Sequence, residues 1–190
     1  MKRRSSWLLF LGVLLIGGSV VLLLVSQWYG GHTAKKAKGV AAEIAQRLPS
    51  RTAGVPGEIP DPQMPVLELD GKDYVCLLDV PAFGVTLPVQ MNWSQWELLQ
   101  TPCRFWGSSY DGTLILGGSS GQFDFCGKLD LGHRIIITDM QGREFSYEVC
   151  HIERSGNAQY ERLAHSDYPL TLFVKEAYAN RYILVRCGYI

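Results

Sequence analysis

Hydrophobic and polar positions follow three different rules along the chain. From Trp7 to Val25 the sequence reads WLLFLGVLLIGGSVVLLLV, with Ser19 the only polar residue. At 1.5 Å per residue such a run spans roughly 29 Å, close to the ~30 Å hydrocarbon core of a bilayer. A single transmembrane helix is expected, with Trp7 at one end and Trp28 and Tyr29 at the other as interfacial anchors. A cleaved signal peptide would carry a shorter apolar run of about 7–15 residues and a small-x-small site. Ser26-Gln27-Trp28 offers no such site. Over 33–48 the rule changes: Val40, Ile44 and Leu48 recur every four residues, the period of a short amphipathic helix. Residues 49–65, with five prolines and two glycines, sustain neither helix nor central strand and read as a semi-rigid spacer.

From residue 66 the period drops to two. VLELDGKDYVCLLDVPAFGVTLPVQ alternates and is broken at Asp70-Gly71, Pro81 and Gly84, so short strands joined by turns are expected. Thr113–Leu116 reads as a buried strand. Residues 134–138 and 144–153 flank Asp139-Met140-Gln141-Gly142 as a hairpin, and 170–174 and 182–190 read as two further strands. Helical patterns are confined to 94–100 and 157–165. The chain thus divides into a basic tip and anchor (1–28), a helical and Pro-rich tether (29–65) and a β domain (66–190), of barrel or sandwich type.

Charge sharpens this division. The formal net charge is zero, which argues against a nucleic-acid binder. It is nevertheless the sum of unlike parts. Residues 1–28 hold three basic and no acidic side chains (+3), residues 29–65 five and three (+2), and residues 66–190 ten and fifteen (−5). The basic clusters Lys2-Arg3-Arg4 and Lys35-Lys36-Lys38 lie on either side of the apolar run, so charge alone decides its orientation only narrowly. The five cysteines (76, 103, 126, 150, 187) form an odd set with no zinc-ligand spacing; no metal and no cofactor is expected. Cys76, Cys150 and Cys187, all on strand-like segments, are expected to be buried. Cys150 and His151, adjacent on a strand, are expected on opposite faces and cannot pair with each other.

The succession VTLPVQ, TPCRFWGSS, GTLILGG, IIITDMQGREFSYEV, DYPLTLF, RYILVRC resembles the sortases in order and spacing, above all class B-like sortases of clostridial type. These are membrane-anchored cysteine transpeptidases of Gram-positive bacteria. The resemblance covers 66–190 and implies a mostly β fold: a closed eight-stranded barrel with one or two short helices, preceded by a transmembrane helix. It also implies a single-pass membrane protein with an extracytoplasmic C-terminal domain. The family's cysteine attacks the carbonyl of a sorting-signal peptide, its histidine protonates the leaving amine, and its arginine stabilises the oxyanion.

At those three places the chain departs from the family. The histidine position after TLIL is Gly118, the cysteine position after LTLF is Lys175, and only Arg181 matches. The resemblance therefore implies a pseudo-sortase that binds a sorting-signal-like peptide, or assists an active sortase or a pilin. The alternative is a working transpeptidase or hydrolase with a relocated pair, His133 and Cys187. Against it, Gly132-His133 sits at the turn that opens the 134–153 hairpin, and Cys187 follows the arginine rather than preceding it. His133 and His151 then read as buried, hydrogen-bonded side chains. His165 reads as a loop residue and His32 as part of the tether. Cys103 stands where the look-alikes also carry a cysteine. Lys175 and Arg181 together suit an anionic group such as a carboxylate or phosphate.

Overall fold

The computed structural model describes residues 12–21, 36–57, 61–156, 167–176 and 181–190. These belong to two compact units, Met1–Lys36 and Ala37–Ile190. In the first, residues 12–21 are helical, and Val13, Leu14, Leu15, Ile16, Val20 and Val21 are all exposed. Among the described residues no helix is long and apolar enough to cross a membrane. The rest of the 7–25 run lies outside the described residues, as do His32, His165 and the helix expected over 157–165.

The second unit is built on ten strands: β1 (Thr52–Ala53), β2 (Leu67–Leu69), β3 (Lys72–Val80), β4 (Val85–Gln90), β5 (Cys103–Trp106), β6 (Leu114–Gly118), β7 (Arg134–Asp139), β8 (Arg143–Ser155), β9 (Leu170–Lys175) and β10 (Tyr182–Tyr189). Hydrogen bonding runs β8-β10-β9-β6-β5-β4-β3, and β7 pairs with both β3 and β8. That double pairing closes eight strands into a barrel, with β1 and β2 attached outside. Neighbours are mostly antiparallel. The exceptions within the barrel are β6 beside β9 and a single parallel pair, Gln90 with Cys103, between β4 and β5. Pro88, which has no N–H to give, lies in the part of β4 without a β5 partner.

Local chemistry accounts for the connections. Asp70 and Gly71 both adopt positive φ (53° and 72°) and join Leu69 to Lys72, the geometry of a two-residue hairpin turn that Asp-Gly favours. The β7–β8 turn uses Gly142 at φ 78° and the carboxylate of Asp139, whose Oδ1 accepts from the backbone N–H of Gln141 (2.8 Å) and Arg143 (2.9 Å). The other oxygen, Oδ2, accepts from the Tyr110 hydroxyl, which Arg143 also reaches at 3.2 Å. Asp139 is fully buried, and its lone pairs are thus accounted for. Burial first, and the Asp139 carboxylate second, hold the Tyr110 hydroxyl well above the usual phenol range. The helix α2 (Gln95–Gln100) is capped by Ser94, whose hydroxyl accepts from the N–H of Glu97 (3.0 Å), as the Ser-x-x-Glu pattern favours.

Alternation divides each strand between two faces. Leu114, Leu116, Leu170, Leu172, Val174, Ile183, Val185 and Cys187 fill the barrel. Ile115, Phe173 and Leu184 lie on its outer face beneath Trp93, Phe105 and Tyr182.

The compact unit begins at Ala37 rather than at 66. The helix α1 (36–47) lays Ala41 and Ile44 on Leu69, Tyr74 and Leu77, with Val40 and Leu48 at the margin. Residues 49–57 then follow the barrel wall as a strap. Thr52 N–H donates to Gly142 O (2.9 Å), Gly54 N–H to Glu144 O (2.8 Å) and Gly57 N–H to Tyr110 O (2.8 Å). A Cβ on Gly54 would lie 2.6 Å from the Phe145 ring, so glycine lets the strap lie flat on that ring. Proline restricts this segment to an edge, which is the place it takes.

Candidate functional site

Gly118, Lys175 and Arg181 come to one end of three neighbouring strands. Gly118 at the end of β6 pairs with Val174 of β9, and Lys175 pairs with Tyr182 at the start of β10. Just beyond, the N–H of Glu176 donates to the carbonyl of Arg181 (2.9 Å). The row continues through β10 into β8, where Ile183, the partner of Val174, also pairs with Arg154.

What occupies this end differs from a thiol facing an imidazole. Lys175 is exposed, so the desolvation that makes a lysine nucleophilic is missing. A Cβ on Gly118 would lie 2.5–2.7 Å from three atoms of the Phe123 ring, which is itself fully buried. Space beside Gly118 is thus taken by an aromatic side chain from the following loop. Gly117 is crowded from the opposite side, where a Cβ would meet Trp93 (2.5 Å) and Phe173 (2.7 Å). The rings of Trp93, Phe105 and Phe173 pack against one another with centroids 5.1–5.5 Å apart. The two glycines therefore form a thin sheet of backbone between aromatic layers. Two adjacent glycines inside a buried strand were a signal of such close approach.

Arg181 is held by Glu176, its Nε lying 3.2 Å from Oε2 of that carboxylate. Arg154 approaches the other oxygen of Glu176 at 3.6 Å. Sequence reasoning missed both Glu176 and Arg154. The first adjoins Lys175, but only the strand register brings the second into the group.

Cys187 lies inside the barrel with no exposure, and burial pushes its thiol far above the ordinary cysteine range. His133 is half-buried in the expected turn after Gly132 (φ 82°). There its Nδ1 accepts from the Asp130 N–H (3.0 Å), and its ring stands edge-on to Phe83. Its carbonyl accepts from Val149 N–H, and Val149 pairs in turn with Cys187. One strand therefore separates the two, a backbone distance of about 10 Å at ~4.8 Å per strand. Cys187 is closed off inside the barrel, whereas the His133 ring packs at the turn against Phe83.

Two other expectations are corrected. The β8–β10 register slips between Arg186 (opposite His151) and Cys187 (opposite Val149), which leaves Cys150 as an extra, bulged residue. The bulge breaks the alternation, so Cys150 and His151 are both exposed, and neither is the buried residue expected. The other four thiols are buried, and all five are free. Burial raises the Cys103 thiol to about 11 and Cys76 further still. Among the described residues no cluster of three His, Cys, Asp or Glu side chains is placed to hold a metal ion.

A closed eight-stranded barrel with a parallel pair whose carboxyl ends carry the candidate residues defines a fold class that solved structures share. Sortase A from Corynebacterium diphtheriae, as a lid mutant, superposes with a TM-score of 0.55 at 23% identity, over 63% of this chain and 71% of that one. Sortase C-1 from Actinomyces oris gives 0.54 at 20% identity, over 83% and 98%. Sortase C from Clostridium perfringens SM101 gives 0.51 at 19% identity, over 63% and 71%. The chain has the sortase fold. No family model matches its sequence, and no curated protein does.

Proposed function

We propose that this chain is a membrane-anchored, extracytoplasmic member of the sortase family that has lost the cysteine–histidine chemistry. In this reading it serves as a binding module for a sorting-signal-like peptide, or as an accessory to an active sortase or pilin. The observation that carries the reading is the Phe123 ring over Gly118. An aromatic side chain fills the space where a catalytic imidazole would start, while lysine stands at the thiol position. A site that has only lost a side chain leaves a void; this one has been repacked. Anchoring rests on the apolar run 7–25 and on the exposed apolar side chains of its helical portion.

The test is turnover of a sorting-signal peptide by the full chain in detergent, with and without a thiol alkylating agent. No thiol-dependent cleavage or transfer is expected. Turnover abolished by alkylation or by Cys187→Ala would support the relocated pair and overturn the reading. Peptide binding, followed by titration calorimetry with the same peptide, separates a binding module from a purely structural barrel.

A further inference from the structure

On α2, Trp96 is 78% exposed, more than any other large apolar side chain among the described residues, and Leu99 is 59% exposed. Three residues apart on a helix, the two share one face. The helix is held so that this face stays outward. Ser94 caps its first turn, and Lys72 clips its other side, with Nζ donating to Glu97 Oε2 (2.7 Å) and to Gln100 Oε1 (3.0 Å). None of the residues of α2 is buried. Most helices in proteins are stabilised by burying an apolar face, and this one leaves its apolar face in water.

The clip also places α2. Lys72 starts β3 in the β2–β3 hairpin, and the same hairpin receives α1, whose Ala41 and Ile44 lie on Leu69, Tyr74 and Leu77. One hairpin thus carries both α2 and the helix through which the chain enters the compact unit. Only residues 26–35 separate that helix from the apolar run ending at Val25, and they reach at most about 36 Å when fully extended. Lys35, Lys36 and Lys38 stand where this link ends, and Lys36 and Lys38 are exposed. Cations here suit anionic headgroups. Tryptophan, with an apolar body and one N–H, suits the boundary between headgroups and acyl chains.

We propose that α2 is a membrane-docking element: Trp96 and Leu99 insert at the headgroup–acyl boundary of the bilayer that the 7–25 run enters, and so fix how the barrel stands on it. The inference rests on the anchoring in the proposed function, not on peptide binding or lost catalysis. Full burial of one leucine side chain favours the docked state more than tenfold, so the docked state dominates.

The experiment places the full chain, with Trp7→Phe and Trp28→Phe, in lipid nanodiscs of phosphatidylcholine and phosphatidylglycerol at one chain per disc. Tryptophan emission is compared between plain and brominated acyl chains. Bromination should quench the emission, and Trp96→Phe should remove most of that quenching. Leu99→Glu, which keeps the reporter in place, should restore most of the emission. Equal emission in the two kinds of disc, or quenching unchanged by Trp96→Phe, would overturn the proposal. Shielding of Trp96 from aqueous iodide without quenching by bromine would assign the face to a protein surface and likewise overturn docking to lipid. Flotation of the unaltered chain with vesicles after a high-salt wash separates the two readings. A chain that fails to float overturns the anchoring and this inference together, whereas one that floats with Trp96 unquenched overturns the docking alone.

Discussion

Adding one methyl group at residue 118 tests the packing on which the functional reading depends. In Gly118→Ala the new Cβ would stand 2.5, 2.6 and 2.7 Å from Cγ, Cδ1 and Cδ2 of Phe123. Carbon atoms in ordinary contact sit at about 3.5–4.0 Å, so the ring must retreat by roughly 1 Å. It has little room, since Phe123 is 1% exposed and its ring lies 5.2 Å from that of Phe125. Overpacking of this kind costs about 1–3 kcal/mol. The gain from replacing a flexible glycine in a strand offsets about 0.5–1 kcal/mol, which leaves a net loss near 1–2 kcal/mol. For a unit of this size Tm then falls by roughly 2–8 °C. The assay is thermal melting followed by near-ultraviolet circular dichroism, in Gly118→Ala, Phe123→Ala and the double variant. Phe123→Ala alone removes a buried ring and costs about 3–5 kcal/mol. The alanine at 118 should then stabilise by about 0.5–1 kcal/mol, for a coupling of about 1–3 kcal/mol, the overpacking cost itself. A neutral Gly118→Ala, or one equally harmful in both backgrounds, would refute the reasoning.

The same packing governs any attempt to rebuild a catalytic pair. Gly118→His with Lys175→Cys should remain inactive and poorly folded unless Phe123→Ala makes room, and activity of the two-residue variant alone would show that the ring is no obstacle. Ellman's reagent should label one thiol per native chain, and Cys150→Ser should abolish that labelling, because the other four cysteines are buried. Tyr110→Phe leaves Oδ2 of Asp139 without its hydroxyl donor and should cost about 1–3 kcal/mol, measured as a loss of Tm. The fold raises the pKa values of Cys76, Cys187, Tyr110 and Tyr147, so folding favours their protonated forms. That contribution is complete below the unfolded values of 9.0 for cysteine and 10.0 for tyrosine, and is lost as pH rises beyond them. Tm should therefore fall above about pH 9, and more gently in Tyr110→Phe; a flat alkaline profile contradicts this.

Much of the barrel was legible because period-two runs and turn residues act locally. The Asp70-Gly71 turn, the 134–153 hairpin, the 170–174 and 182–190 strands and the Ser94-capped helix all follow from neighbours in sequence. What escaped depends on distant partners. The spacing of Val40, Ile44 and Leu48 shows that α1 has an apolar face, but nothing nearby says that Leu69, Tyr74 and Leu77 receive it. Strand alternation put Cys150 inside and failed because a register slip against β10 inserts an extra residue. At the site, the nearness of Gly118, Lys175 and Arg181 was implied by the resemblance and is found at neighbouring strand ends. Their surroundings were not legible. Phe123 belongs to a loop with no periodic signal, and Arg154 meets Glu176 only through three strands in register.

The order of the strands also sets when the barrel can close. β10 lies between β8 and β9, so before it emerges from synthesis each of those strands presents an open edge. Open edges template intermolecular pairing, and closure that joins segments remote in sequence is slow. β6 likewise finds its parallel partner β9 only after the intervening hairpin has been made. The nascent domain is therefore exposed to aggregation until its last strand arrives. A chaperone that shields β8 and β9 would raise the yield of folded protein without touching the finished molecule.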